Sequence, residues 1–335
     1  MNVFLRKISV AVLLLATVCA ASARSWQINN NPNHKADFVD INAAMASAEV
    51  VDGDTLYLCA GCVIKSNQTI SKRVTVIGTG WRYTDSPAAP AQIDGDVIIE
   101  ANGVKLLSLY ARGSARVRAS NVTIERCFMN TNIFQDVSTV TDNVKILSCW
   151  TGRIYGQEGR STKWEIRNTY VDSYDDYAIR DLYNAVIENN FLQRNNGNSY
   201  LLYNCDYSMV KNNIMFCNGS QGKITSGCDN TVIAYNVLSL SPDYESNYPG
   251  NNVFINSMDR VVVIKNEGGA ASAEFFHLIE GSPAIGAGEG GIDCGVLAGV
   301  YKFVPYGRPR NIPVIKKLVV PDSPTNGEIN VTIGF

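Results

Sequence analysis

The chain has 335 residues, of which 46% are hydrophobic and 18% charged, and its formal net charge at pH 7 is −2. This composition provides for a sizeable buried core, and a weakly acidic chain has no general attraction for nucleic acid or for an anionic membrane. The sequence contains two histidines, His34 and His277, which leaves almost no material for a Ser-His-Asp triad or a histidine metal site.

Residues 1–23 have the order of features of a secretory signal peptide. Arg6 and Lys7 precede an apolar run from Ile8 to Cys19, and the small residues 21–23 (ASA) provide a cleavage site. The run is too short for a membrane span, so we expect a secreted, periplasmic or outer-surface protein without a transmembrane segment and with a mature charge of −4. A lipoprotein acylated at Cys19 is the alternative, and bulky Val18 in front of that cysteine disfavours it.

Residues 24–72 are predicted to form an N-terminal cap and the first strand. Asp40 can cap a short helix from Ile41 to Val50 that carries an apolar stripe. A helix laid across the end of a stack of strands blocks further strand pairing there. The segment 53–58 (GDTLYL) then predicts a turn followed by a strand.

Residues 73–280 contain one recurring pattern, an isoleucine or valine followed three places later by asparagine or a substitute. Copies begin at Val122, Val144, Trp164, Ala185, Ser208, Thr231 and Val261, in steps of 22, 20, 21, 23, 23 and 30 residues. Self-similarity with a fixed period of this size indicates stacked supersecondary units that cover one another's apolar faces. A coil of this length has no room for an amphipathic helix, which excludes leucine-rich and ankyrin solenoids.

Three columns of equivalent positions define the coil. The aliphatic column is Ile124, Ile146, Ile166, Ile187, Val210, Ile233 and Val263, and the largely aromatic column is Phe128, Trp150, Tyr170, Phe191, Ile214 and Val237. Both columns are predicted to face the interior. Between them, Asn190, Asn213, Asn236 and Asn266 share the position of Cys127, Cys149 and Thr169. In-register strands would let these asparagines hydrogen-bond in a ladder. The predicted fold is an all-β, right-handed, single-stranded parallel β-helix.

Eight cysteines follow the signal sequence, and the repeat places four of them in pairs one coil apart. Cys127 with Cys149, and Cys205 with Cys228, are each close enough in such a stack for either a disulfide or a pair of reduced thiols. Cys59 and Cys62 form the one C-x-x-C motif, for which a local disulfide is preferred over a redox or zinc site because a strand pattern follows it.

The densest group of charged residues interrupts the repeat between residues 172 and 181. Asp175, Asp176, Arg180 and Asp181 are the candidate catalytic residues, since a pair of carboxylates can act as acid and base across a sugar. Asp172, Asp175 and Asp176 are candidate ligands for calcium, which is the one cofactor suggested. Arg153, Tyr155, Arg160, Tyr174 and Tyr177 are the candidate substrate-binding residues. The alternative interpretation is a solvated turn whose charges keep the coil edge soluble.

Residues 281–335 leave the repeat and are predicted to form a C-terminal cap, with candidate strands at Val314 to Val320 and Ile329 to Ile333. The segments 282–288 (SPAIGAG), 293–295 (DCG) and 312–315 (IPVI) resemble the C-terminal ends of secreted β-helix proteins of Bacteroidetes. Residues 41–44 (INAA) and 53–58 are similar to the start of pectate-lyase-like β-helices. This resemblance implies a right-handed β-helix but no particular activity, because one fold hosts many functions.

Two classes of function follow from these observations. The first is a secreted, carbohydrate-associated β-helix without catalysis, whose partner is a polysaccharide or a cell-surface glycan and which we expect to be a monomer. The second is a polysaccharide lyase or glycoside hydrolase that acts on an acidic polysaccharide, as the resemblance and the residues from Asp172 to Asp181 suggest. No motif of such enzymes matches this sequence position by position.

Overall fold

Short parallel strands stack coil upon coil between residues 25 and 254. The computed structural model describes residues 23–81, 89–174, 177–194, 200–217, 224–256, 261, 266–267, 270–271, 276–308, 317–319 and 332–334. Their strands form parallel sheets connected coil by coil, so the protein is an all-β parallel β-helix, as the repeat predicts. Of the expected signal peptide, residues 1–22 lie outside the described residues.

Each coil contributes strands to three faces. Face one is a sheet of ten strands: Ser25–Ile28, Thr55–Leu58, Thr75–Ile77, Lys105–Leu107, Thr123–Glu125, Lys145–Leu147, Glu165–Arg167, Val186–Glu188, Met209–Lys211 and Val232–Ala234. Face two follows it in each coil and comprises Val63–Ile64, Gln92–Ile93, Tyr110–Ala111, the first part of Phe128–Gln135 and of Trp150–Tyr155, Tyr170–Ser173, Phe191–Arg194, Ile214–Cys217, Val237–Leu238 and Val253–Phe254.

Face three completes the coil. It comprises Gln68–Ile70, Val97–Ile99, Ala115–Val117, the last part of Phe128–Gln135 and of Trp150–Tyr155, Ile179–Arg180, Leu202–Tyr203 and Thr225–Ser226. The strands Phe128–Gln135 and Trp150–Tyr155 run through both faces and join them into one sixteen-stranded sheet. A small parallel pair, Thr141–Asp142 with Ser161–Thr162, lies beyond face three.

The predicted aliphatic column is confirmed residue by residue on face one. Ile124 pairs in register with Ile146, Ile146 with Ile166, and the series continues to Ile233. These side chains belong to the main core, and the first four of them are fully buried. Burying β-branched side chains in stacked, superimposed positions lets each coil cover the apolar surface of the next.

The predicted asparagine ladder is also present, at the turn between faces one and two. Asn213 Oδ1 accepts from the backbone N–H of Asn190 at 2.8 Å, and Asn236 Oδ1 accepts from that of Asn213 at 2.9 Å. Each Nδ2 group donates to a backbone carbonyl of the preceding coil. Because all three side chains are fully buried, these bonds satisfy polar groups that have lost water.

The last asparagine of the ladder is not the one predicted for the seventh coil. Asn252, not Asn266, accepts from the backbone N–H of Asn236, at 2.9 Å. Val253 then pairs with Val237 on face two, which makes this coil shorter than the sequence pattern suggests. Asn266–Glu267 instead pairs antiparallel with Ala270–Ala271, and Val263 lies outside the described residues. The insertion in this coil includes a 3-10 helix, Pro242–Asn247.

The aromatic column lies on the outer side of face two, and the expectation of an interior position was wrong. The pairs Phe128–Trp150, Trp150–Tyr170 and Tyr170–Phe191 are in register, but Cys127 and Met129 on either side of Phe128 point into the main core. Alternate residues of a strand point to opposite faces. The corner residue of each coil, such as Arg126 or Asn168, has a positive φ and resets this alternation.

Residues 276–308, here called the strap, cover much of the outer aromatic column. Phe276 packs on Tyr170 and Phe191 with ring centroids 4.8 and 5.4 Å apart. The strap does not stop at the C-terminal edge of the coils, where the tail was expected to close the stack. It runs back toward the N-terminal coils, as the hydrogen bond from the backbone N–H of Trp81 to the carbonyl oxygen of Tyr306 (2.9 Å) shows. Two 3-10 helices, Glu289–Gly291 and Pro305–Gly307, lie within it.

Corner side chains of successive coils hold the strap. Asn168 Nδ2 donates to the carbonyl of Val296 at 2.9 Å, and Asn212 Oδ1 accepts from the backbone N–H of Glu289 at 2.8 Å. Ser148 Oγ accepts from the N–H of Val304 at 3.1 Å. The residues that turn each coil therefore also fix the strap.

The N-terminal helix runs from Ile41 to Ala46, which is shorter than predicted. Asp40 is its N-cap, as expected, and its carboxylate accepts from the N–H of Ala43 at 2.7 Å. Gln68 Oε1 accepts from the N–H of Ile41 at 2.9 Å and so ties the helix to a strand of face three. Among the residues that the structure describes, no helix is long and apolar enough to span a membrane.

Farther along the tail, Lys317–Val319 and Thr332–Gly334 pair antiparallel, and each overlaps one of the two candidate strands.

The eight described cysteines are free thiols in this structure. The predicted columns are confirmed, since Cys127 contacts Cys149 and Cys205 contacts Cys228 through thiol hydrogen bonds. In this structure the four residues form two stacks of unbonded thiols, each within one column. The local disulfide expected between Cys59 and Cys62 is also absent from the described structure.

Because the ladder amides are buried, we expect the loss of one of them to lower the stability of the fold substantially. Asn213→Ala removes the acceptor of the Asn190 backbone N–H inside the core, and we expect it to lower the free energy of unfolding by about 3 kcal/mol. Asn33→Ala, at an exposed turn, is the control and should change it by less than about 0.5 kcal/mol. Urea unfolding followed by circular dichroism measures both, and equal effects would contradict the ladder's role.

Candidate functional site

A cleft opens on the outside of the coils where face two turns into face three. It encloses about 350 Å³, and its lining includes Phe128, Asn132, Trp150, Arg153, Asp172 and Tyr174. Three of these residues, Arg153, Asp172 and Tyr174, were predicted from the sequence as site residues. The structure brings them together because the two coils that carry them are stacked in register.

Aromatic rings form one wall of the cleft. Phe128 and Trp150 are half-buried, with ring centroids 5.0 Å apart, and they pack against the buried cluster that includes strap residues such as Phe303. From the repeat, both rings were expected to face the interior, so they were not predicted as site residues. Simple alternation puts residues four apart, such as Ile124 and Phe128, on the same side, and the positive φ of the corner residue between them reverses this.

Polar side chains form the rest of the cleft. Arg153 Nε donates to Asn132 Oδ1 on the preceding coil at 3.1 Å, which fixes the direction of the guanidinium group. The hydroxyl of Tyr170 hydrogen-bonds with Asp172 and also lies 3.2 Å from Gln193 Oε1. Burial, together with the charge of Asp172, raises the pKa of Tyr170, so the phenol stays protonated as a donor to the carboxylate.

A second column of outward side chains lies beside the cleft on face three. Its members are in register on five successive coils: Arg116, Phe134, Tyr155, Arg180 and Tyr203. The rings of Phe134 and Tyr155 stack with centroids 4.8 Å apart. The guanidinium groups of Arg153 and Arg180 lie 5.5 and 5.2 Å from the centroid of the Tyr155 ring. Arg153 thus lines the cleft and also contacts Tyr155 of the face-three column.

The other predicted substrate residues have different positions. Tyr177 joins the face-three column by packing on Tyr203, with centroids 4.7 Å apart, and by lying 5.9 Å from the Arg180 guanidinium. Tyr174 is 70% exposed at the cleft, where a ligand can reach its ring. Arg160 instead lies in an exposed turn and donates to the Ser138 carbonyl, so it stabilises a loop and does not line the cleft.

The predicted catalytic residues are only in part described. Asp175 and Asp176 lie outside the described residues. Arg180 Nε lies 3.5 Å from Asp181, whose side chain is 15% exposed and also accepts from Asn204 Nδ2 at 3.2 Å. Burial raises the pKa of Asp181, and Arg180 and Asn204 offset this only in part. Asp181 occupies the corner after face three and has a positive φ of 56°.

The calcium prediction stays a prediction. Asp172 is the one proposed ligand that is described, and it lies at the cleft. In the described part of the chain, no group of three or more His, Cys, Asp or Glu side chains is arranged to hold a metal ion.

A scan against models of known protein families gives no match to this chain, and a search of curated proteins finds no similar sequence. The fold therefore defines the class, a parallel β-helix protein that carries an aromatic and arginine-lined cleft on its outer surface.

The raised pKa of Asp181 predicts a specific dependence of stability on pH. Because the folded state holds the proton more tightly than the unfolded state, stability falls as the pH rises from about 4 to the folded pKa. Asp181→Asn removes this effect. Its stability relative to wild type should therefore be constant below about pH 4, rise through that window and then level off. Urea midpoints between pH 3 and 8 measure the difference, and a difference independent of pH would show that Asp181 is not the group responsible.

Proposed function

We propose that this chain is a secreted β-helix protein that binds an acidic polysaccharide along its outer surface, at the cleft and the adjoining face-three column. The observation that carries the proposal is the cleft, where the exposed ring of Tyr174 and the half-buried rings of Phe128 and Trp150 lie beside polar side chains. Export through the signal sequence expected at residues 1–23 belongs to the same proposal, because it would bring the protein to such polymers.

The chemistry of the cleft suits a sugar acid. Flat rings such as those of Trp150 and Tyr174 offer apolar faces to the C–H side of a pyranose, and Tyr keeps a polar group at its edge. The guanidinium group of Arg153 can bind a carboxylate through two parallel hydrogen bonds. Asn132 and Asp172 supply acceptors for sugar hydroxyls.

The stacking of coils favours a polymer over a small sugar. Equivalent side chains recur about every 4.8 Å along the axis, because that is the spacing of neighbouring strands. A chain of sugars lying along the axis would therefore meet Phe134, Tyr155 and Arg180 in succession. Several weak contacts of this kind add up through multivalency, so affinity should increase with the length of the oligomer.

The charges of this surface are distributed unevenly. Arg116 is held by Asp96 at 2.7 Å and by Asp136 at 3.5 Å, so its charge is largely compensated. Arg153 and Arg180 flank Tyr155, and we assign both to the carboxylates of the ligand; Arg180 has a single carboxylate neighbour in the described structure, Asp181 at 3.5 Å. The chain as a whole carries a net negative charge, so it has no general attraction for polyanions. Two arginines close together therefore favour binding of an anionic ligand at this one place.

Cleavage of the bound glycan is a second candidate function. The observation that favours it is the presence of a basic residue, Arg153, and an acidic residue, Asp172, in the same cleft. A β-eliminating lyase needs a base for the proton at C5 and a group that neutralises the uronate. The test is to incubate the full chain with uronate polymers, with and without calcium, and to follow the ultraviolet absorbance of unsaturated products. No product with any polymer excludes the lyase and leaves binding as the function.

The binding proposal predicts which substitutions weaken affinity. Arg153→Gln removes the bidentate contact and should weaken binding of a polyuronate about tenfold, and Tyr174→Ala should have a similar effect. Both affinities can be measured by isothermal titration calorimetry with oligogalacturonates of increasing length.

Matched controls come from exposed side chains away from the cleft. Arg73→Gln, whose side chain is 61% exposed, and Tyr207→Ala, whose residue is 52% exposed, should leave affinity unchanged. If no uronate polymer binds, or if the control variants lose as much affinity as the cleft variants, the proposal is wrong.

A further inference from the structure

Two in-register thiol stacks differ in their access to solvent. Cys127 and Cys149 are both fully buried in the main core. Cys205 is also fully buried, but its neighbour Cys228 is partly exposed. The chain thus contains two pairs of cysteines with the same arrangement, and a reagent in solution can reach one of them.

The backbone arrangement suits a bond between Cys205 and Cys228. Each cysteine lies two residues beyond an in-register pair, Tyr203 with Ser226. Each sulfur lies close to the carbonyl oxygen two residues before it, at 3.4 Å in Cys205 and 3.5 Å in Cys228, so the two side chains have equivalent positions. Neighbouring strands lie about 4.8 Å apart, within the range of Cα separations that disulfides span.

The two thiols also differ in acidity. A hydrogen bond from the Cys205 thiol lowers the pKa of Cys228, and burial and the carboxylate of Asp206 oppose this only in part. The contact with Cys228 and burial raise the pKa of Cys205. The thiol of Cys228, the partly exposed residue of the pair, is therefore the one that forms a thiolate first.

We propose that Cys205 and Cys228 are a thiol–disulfide exchange site that reacts with low-molecular-weight disulfides and closes into a covalent link between adjacent coils. The Cys228 thiolate attacks one sulfur of the small disulfide, which forms a mixed disulfide and releases one thiolate. The Cys205 thiol then loses its proton to solvent or to the released thiolate, attacks the Cys228 sulfur and expels the second small thiol. Two protein thiols and one small disulfide become one protein disulfide and two small thiols.

The position of the link gives it a structural role. Cys228 precedes Val232–Ala234, the last strand of the face-one sheet in the described residues, which has a pairing partner on one side only. A terminal strand of this kind opens more readily than strands in the middle of a sheet. The link ties its coil to the coil of Cys205, and so strengthens the C-terminal end of the stack in an oxidising compartment.

The buried stack is the internal control for the experiment. The folded full chain is incubated with oxidised glutathione at pH 8, the remaining thiols are alkylated after denaturation, and the peptides are identified by mass spectrometry. We expect a peptide that joins Cys205 to Cys228, formed at least about tenfold faster than any link between Cys127 and Cys149. In hydrogen exchange, the amides of 232–234 should exchange more slowly after oxidation.

Two variants complete the test. Cys205→Ser should stop the reaction at a mixed disulfide of Cys228 with glutathione, whereas Cys149→Ser should still form the 205–228 link. The proposal is overturned if Cys205 and Cys228 are both recovered as reduced thiols, or if the buried pair is oxidised at the same rate. The outcome does not depend on glycan binding.

Discussion

In-register hydrogen bonding between adjacent coils is the interaction on which the rest of the structure depends. The backbone pairing is reinforced at the turn between faces one and two, where buried amides of Asn190, Asn213 and Asn236 accept from one another's backbone N–H groups. A shift of one residue between coils would turn the aliphatic column toward solvent and leave these groups without partners. Register therefore determines the core, and the outer surface follows from it.

The site is a consequence of that register. Once the coils are aligned, every outward position recurs at the same place on the next coil, so isolated residues such as Phe134, Tyr155 and Arg180 become a continuous column. Tyr170 and Phe191 of the outer aromatic column are buried beneath the strap, whereas Phe128 and Trp150 are half-buried and line the cleft. The scaffold thus needs no extra domain to present a long surface, and residues that change the surface need not disturb the core.

The sequence was sufficient for the fold but only in part for the site. The columns of Ile146 and Asn213 are periodic, and periodicity reports stacking directly. The side of the aromatic column was mistaken because one corner residue with positive φ, which a repeat does not reveal, resets the alternation. The strap has no local signal either, since its bonds join residues as distant as Asn168 and Val296. Arg153, Asp172 and Tyr174 were found because charged and aromatic residues interrupt the repeat there.

Radical footprinting of the folded chain with and without a polyuronate tests the central claim most directly, because it reports the exposure of individual aromatic side chains. Tyr174 at the cleft and Tyr207 on another part of the coils are both exposed, which makes them a matched pair. The account predicts that the polymer lowers the oxidation of Trp150 and Tyr174 and leaves that of Tyr207 unchanged. Equal protection of Tyr207, or no protection of Trp150 and Tyr174 at saturating polymer, would contradict it.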